Sequence, residues 1–246
     1  MTSPLALPPT GAEAAEDFAF VWRWLLLGMA TGGWAGFLVG GVGGRIAMFV
    51  LRLTSTDSVR GTQSDDGFTI GQLSGATVFL LAVTTVLGMV VGVALVCARS
   101  QMPGSAGAVL IVLAAGTLGA SQIIKPNGVD FTRLAPLPLA CAMFTLIPLG
   151  GAALTLWITA RWSVWWWQNP RRTVLAALPL VLVVPTFFVS IPFIVVSLAI
   201  GGMALRVGRL RQALTNRIGT IVVTMLAGAI LVAASVALVS DIAEIV

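Results

Sequence analysis

The 246-residue chain is 58% hydrophobic and 9% charged, with a mean hydropathy of +1.01, whereas a soluble domain carries about 25% charged residues. Its net charge of +5 comes from 14 basic residues, all arginine except Lys125, against 9 acidic ones. This composition excludes a soluble globular enzyme and implies an all-α, polytopic transmembrane helix bundle, in which basic residues in short loops report topology before they report nucleic acid.

No nucleic-acid partner is expected, because no basic face interleaved with aromatic residues stands outside the apolar segments. The chain has neither His nor Tyr, which removes the usual neutral-pH general base and the commonest zinc ligand. Cys97 and Cys141 both lie in apolar runs and, by the topology below, near opposite membrane faces, so neither a disulfide nor a metal pair is expected. No cofactor is implied.

Residues 1–17 hold Pro4, Pro8, Pro9, Glu13, Glu16 and Asp17 and read as a flexible tail. They lack the basic start of a signal peptide. Residues 18–246 form one helical membrane domain of about six transmembrane helices, at about 18–53, 73–98, 105–124, 134–160, 173–205 and 218–240. The first spans about 50 Å, more than the ~30 Å hydrocarbon core, and must tilt or protrude.

That first helix carries glycine at positions 28, 32, 36, 40 and 44. A spacing of four places Gly28, Gly32, Gly36, Gly40 and Gly44 on one slowly drifting stripe. Each would cost about 1 kcal/mol against Ala in a water-exposed helix. In lipid, a bare face lets a neighbouring helix approach to van der Waals contact. The stripe is expected to pack inside the bundle, with self-association the lesser reading.

The loop 54–72 is the most polar segment, with Asp57, Arg60, Asp65 and Asp66. The second helix ends at Arg99 and a Met-Pro-Gly turn. The third ends at Lys125-Pro-Asn-Gly-Val-Asp130, where Pro and Asn-Gly signal a turn. Helix four contains Pro136, Pro138 and Pro148 and leads into the arginine-flanked tryptophans 161–172, an aromatic belt. Pro179, Pro185 and Pro192 interrupt 173–205, which is long enough for one kinked crossing or a re-entrant pair. The prolines free carbonyls that can line a site or hinge a motion. The basic segment with Arg206, Arg209, Arg211 and Arg217 anchors the chain or attracts acidic lipid.

Strict alternation puts Arg45, Arg52, Arg60, Lys125, Arg133, Arg206, Arg209, Arg211 and Arg217 at one face, against Arg23, Arg99, Arg161, Arg171 and Arg172 at the other. The positive-inside rule then places both termini outside. A re-entrant 173–205 would carry the last four of the first group across and reverse this orientation.

Arg45, Asp65, Asp66, Lys125, Asn127, Asp130 and Arg133 form the candidate polar cluster, since ionisable groups at a membrane boundary pair with one another. The cluster either closes the bundle or forms the mouth of a pathway for an ion or polar substrate. No catalytic, cofactor-binding or metal-binding residue is assigned. Ser121 and Lys125 have dyad spacing, but Lys125 at a helix end already suits the helix dipole. Asp65-Asp66-Gly67 lacks the remainder of the CDP-alcohol phosphotransferase motif. A short likeness between Gly44–Leu53 and Gly201–Leu210 does not extend into its flanks.

Gly43-Gly-Arg-Ile-Ala-Met48, and Ser64-Asp-Asp-Gly-Phe68 with Gly71, resemble stretches of uncharacterised multi-pass membrane proteins of actinobacteria. The resemblance lies mainly within the first 75 residues and implies a multi-pass protein of the bacterial cytoplasmic membrane, without an activity. The leading expectation is a non-enzymatic accessory, assembly or binding component whose partners are the lipid bilayer and another membrane protein or a second copy. The alternative is a small transporter or channel with a charged mouth.

Overall fold

Apolar runs this long have no water to satisfy their peptide groups in a bilayer, so every backbone N–H and C=O must be bonded within the run, and helices result. A computed structural model describes residues 11–55, 75–102, 104–128, 131, 136–166, 168, 170–176, 178, 179, 192, 196 and 217–245. The elements are α1 (Gly11–Ala35), a π-helical segment (Gly36–Gly43), α2 (Gly44–Thr54), α3 (Gly75–Gln101), α4 (Ser105–Ile123), α5 (Leu137–Trp162), the short α6 (Pro170–Ala176) and α7 (Arg217–Ile245). No strand occurs among the described residues, and five helical stretches are long and apolar enough to cross a membrane, counting Trp22–Thr54 as one. The protein is an all-α helical membrane bundle.

α1 begins at Gly11, so the stretch expected as a tail to residue 17 is partly helical. The π-helical segment contains four of the helix's glycines. Each of its turns takes an i→i+5 bond, and the bare stripe changes course there.

α1 and α3 are antiparallel and form the tightest interface of the bundle. A methyl group built on Gly32 would overlap the carbonyl oxygen of Gly88 and lie 2.7 Å from Gly92 Cα; one built on Gly36 would overlap the carbonyl of Thr84. The relation is reciprocal, since a methyl on Gly92 would overlap the Gly28 carbonyl. Gly88 and Gly92, themselves four apart on α3, are thus the counter-stripe. Beyond Gly36 the contact passes to Gly41, where an added methyl would lie 2.6 Å from the Leu81 side chain. That step of five is one π-turn. A methyl on Gly40 would lie a tight 3.2 Å from the Thr84 side chain without overlapping backbone, and Gly44 faces open space.

α4 packs between α5 and α7. Its Gly116 and Gly119 admit Leu149 and Pro148 of α5, the latter with Cβ 2.7 Å from where a Gly119 methyl would stand. Pro148 lies inside α5 and lacks an N–H for its ladder, and the small residues opposite let the helix approach at that point. Between α3 and α4, Gly104 has φ 92°, a conformation that only glycine adopts without strain.

Two apolar clusters define the ends of the bundle. Leu95, Met102, Ile111 and Ala152 gather at the tryptophan end with Val223 and Ala227 of α7. Leu51, Ile124, Phe131 and Phe144 gather at the lysine end with Leu238, Ile242 and Ile245 of α7. α7 therefore runs parallel to α4, and the chain leaves α5 and enters α7 at the same end. This corrects the expectation that both termini lie on one side: α7 ends at the face opposite the one where α1 starts. A single crossing between Trp162 and Arg217 would have reversed α7. Most of 173–205 lies outside the described residues, as do Arg206, Arg209 and Arg211.

Candidate functional site

Of the expected polar cluster, Asp65, Asp66, Asp130 and Arg133 lie outside the described residues. The other three sit at the lysine end, where Arg45 and Lys125 engage different helices. Arg45, in the first turn of α2, donates from Nη2 to Thr77 Oγ1 at 2.6 Å, tying α2 to the start of α3. Lys125, just past the end of α4, donates from Nζ to the Ser121 carbonyl at 2.8 Å. This satisfies one of the carbonyls a helix leaves free at its C-terminus, where a cation is also favoured by the dipole. Asn127 is exposed in the turn closed by the Gly128 N–H and the Lys125 carbonyl at 3.0 Å.

Lys125 Nζ also lies 3.7 Å from Asp241 Oδ2 of α7, with the two side chains 54% and 24% exposed. At that exposure the pair contributes at most about 1 kcal/mol. Asp241 is not in the expected cluster, because the last helix is expected to stop at about residue 240. The helix instead continues through it to Ile245, and the direction of α7 delivers it to Lys125.

Ser121 and Lys125 do not form a dyad. The Ser121 hydroxyl donates to the Leu118 carbonyl at 2.9 Å, and the lysine reaches the Ser121 backbone carbonyl. Among the described residues no group of three or more His, Cys, Asp or Glu is placed to hold a metal ion. Cys97, exposed on α3, and Cys141, buried on α5, lie towards opposite ends.

No family model matches this chain, and no curated protein or solved structure matches it.

The interior holds a polar line that charge-based inspection of the sequence does not reveal. Thr31 of α1 and Thr159 of α5, both buried, approach with hydroxyl oxygens 2.9 Å apart. Thr31 Oγ1 also lies 2.9 Å from the Leu27 carbonyl, and Thr159 Oγ1 lies 2.8 Å from that of Thr155. Each hydroxyl has one hydrogen, so one threonine donates across the interface while the other donates to its own helix. Thr155 donates to the Gly151 carbonyl at 2.8 Å, extending the line down α5. The visible signal is the Thr155, Thr159 spacing of four, which places both on one helix face.

At the tryptophan end, Trp162 stacks on Trp166 with rings 6.1 Å apart and 9° from parallel. Trp166 and Ala176 are buried against Leu27 and Ala30 of α1. The Trp34 indole N–H donates to the Ala176 carbonyl at 3.0 Å, a group that the end of α6 leaves without its helical donor. Pro179 touches the Gly33 position. α6 and Pro179 therefore lie along α1, with the Trp34 contact about 15 Å below the level of Trp24 at 1.5 Å per residue.

Proposed function

We propose that this protein is a non-enzymatic assembly or binding component of the bacterial cytoplasmic membrane, acting through its outer helix faces. The resemblance of residues 1–75 to actinobacterial multi-pass proteins motivates the location. One observation carries the reading. The glycine stripe, the chain's strongest docking signal, is occupied by α3, whereas α7 leaves an apolar face uncovered that includes Val222, Met225, Leu226, Val232 and Val236. Only 17% of the α7 span is buried, against 28–33% for the others, and Gly228 on it faces open space. A helix covered on one side, with a small residue that permits close approach, suits association with another membrane helix.

The test is photocrosslinking from Met225 and Val232 in native membranes, with Leu146 on the exposed surface of α5 as the reference position. A discrete protein adduct from α7 alone is expected. Adducts only with lipid at all three positions would remove the reading.

A transporter or channel is the second reading. It draws on irregular backbone at depth: the π-helical segment, Pro148 within α5, and the Ala176 carbonyl held by Trp34. Transporter sites are built where such broken helices meet. Flux in proteoliposomes that is lost on substituting Asp65, Asp66 or Asp130 would favour it.

A further inference from the structure

Arg161 is the last basic residue of α5, and its guanidinium lies over the Trp157 ring, 5.3 Å from the ring centroid. Both side chains are exposed, Trp157 by 58%. Trp157 lies twenty residues beyond Leu137, about 30 Å along the helix axis. That is the thickness of the hydrocarbon core, so the stacked pair stands at the level of the headgroups. Helical side chains lean towards the N-terminus, which folds Arg161 back over the ring and away from the water beyond.

Among the described residues Arg161 has no carboxylate partner, and neither its N–H groups nor the Trp157 indole N–H donates within the protein. A guanidinium stacked on an aromatic face keeps its donor edge free and preoriented, a geometry that matches the paired oxygens of a phosphate. The surroundings add positive charge. Arg23, Arg99 and Arg172 are at the same end.

We propose that Arg161 and Trp157 form a binding site for the phosphate of an anionic phospholipid. A zwitterionic headgroup carries its own cation, which competes for that phosphate. An anionic headgroup leaves its charge for the arginine, which has no carboxylate counter-ion among the described residues. The site stands independently of any protein partner on α7.

The test is native mass spectrometry of the full chain in detergent, titrated with phosphatidylglycerol and, separately, phosphatidylcholine. Wild type is expected to retain phosphatidylglycerol preferentially. Arg161→Gln should weaken its apparent affinity roughly fivefold, the factor supplied by one basic group near an anionic surface, and leave phosphatidylcholine unchanged. Lys125→Gln, at the other end, should leave both unchanged. Trp157→Leu should also weaken phosphatidylglycerol binding, and supplies the test if Arg161→Gln lowers the melting temperature. Equal retention of the two lipids, an equal loss in Lys125→Gln, or unchanged affinity in a folded Arg161→Gln or Trp157→Leu protein would overturn the proposal. So would displacement of the lipid by millimolar inorganic phosphate, which would assign the pair to free phosphate.

Discussion

The backbones of Gly32 and Gly88 approach so closely that a methyl group on either would overlap the carbonyl oxygen of the other. Both atoms in the way belong to helix backbone, which cannot rotate aside as a side chain can. Separating the helices would relieve the overlap only by giving up the dispersion contacts along the whole α1–α3 seam.

Gly32→Ala or Gly88→Ala is therefore expected to destabilise the bundle by about 1–3 kcal/mol, the range for overpacking a close-packed site. Gly44→Ala is the internal comparison, because an added methyl there meets nothing within 4 Å. It should be neutral or stabilising. Unfolding in mixed detergent micelles, followed by helical circular dichroism, measures both. Equal destabilisation by Gly44→Ala and Gly32→Ala would mean that glycine flexibility, not the approach of α3, is what the stripe provides.

The Thr31–Thr159 contact predicts a small but coupled effect. Interhelical hydrogen bonds in membrane proteins contribute about 0.6 kcal/mol on average and about 1.7 at most. Thr31→Val and Thr159→Val should each cost an amount in that range, and the double variant less than the sum, since removing either partner already breaks the bond. Valine preserves the branched shape. Strict additivity in this cycle would show that the two hydroxyls serve only their own helices.

The direction of α7 gives a topological prediction. Arg217 joins Arg23, Arg99, Arg161, Arg171 and Arg172 at the tryptophan end, while Arg45, Arg52 and Lys125 remain at the lysine end among the described residues. The positive-inside rule then favours a cytoplasmic tryptophan end. Reporters fused at the two termini should report different compartments, with the N-terminus cytoplasmic. Oxidative crosslinking of Lys125→Cys with Asp241→Cys should join α4 to α7, because the native side chains meet there. Both reporters on one side, with no crosslink, would restore a single crossing between α5 and α7.

The glycines at 28, 32 and 36 were legible as a packing face from spacing alone, because a helix of known period fixes which residues align. Their partners at 88 and 92 carry the same signal, but two glycines among many do not identify which helix they meet. The turn from Gly36 to Gly41 was hidden, since a π-helical segment breaks the period on which the extrapolation to Gly40 and Gly44 depended. The polar cluster was less legible. Arg45 and Lys125 are visible as charges in an apolar chain, but their partners Thr77 and Asp241 are set by which helix ends coincide in space.

Hydropathy and helix period alone determined that this is an α-helical membrane protein, and they marked most of its spans and its bare glycine face. Those properties are local: they follow from the cost of unbonded peptide groups in lipid and from the pitch of one helix. The tertiary structure decided that α7 lies parallel to α4, that Asp241 meets Lys125, and that Thr31 bonds Thr159. Each depends on the depth and direction at which distant segments dock, and in lipid, where apolar surface is equally content facing tails or helices, shape complementarity and a few polar contacts make that choice.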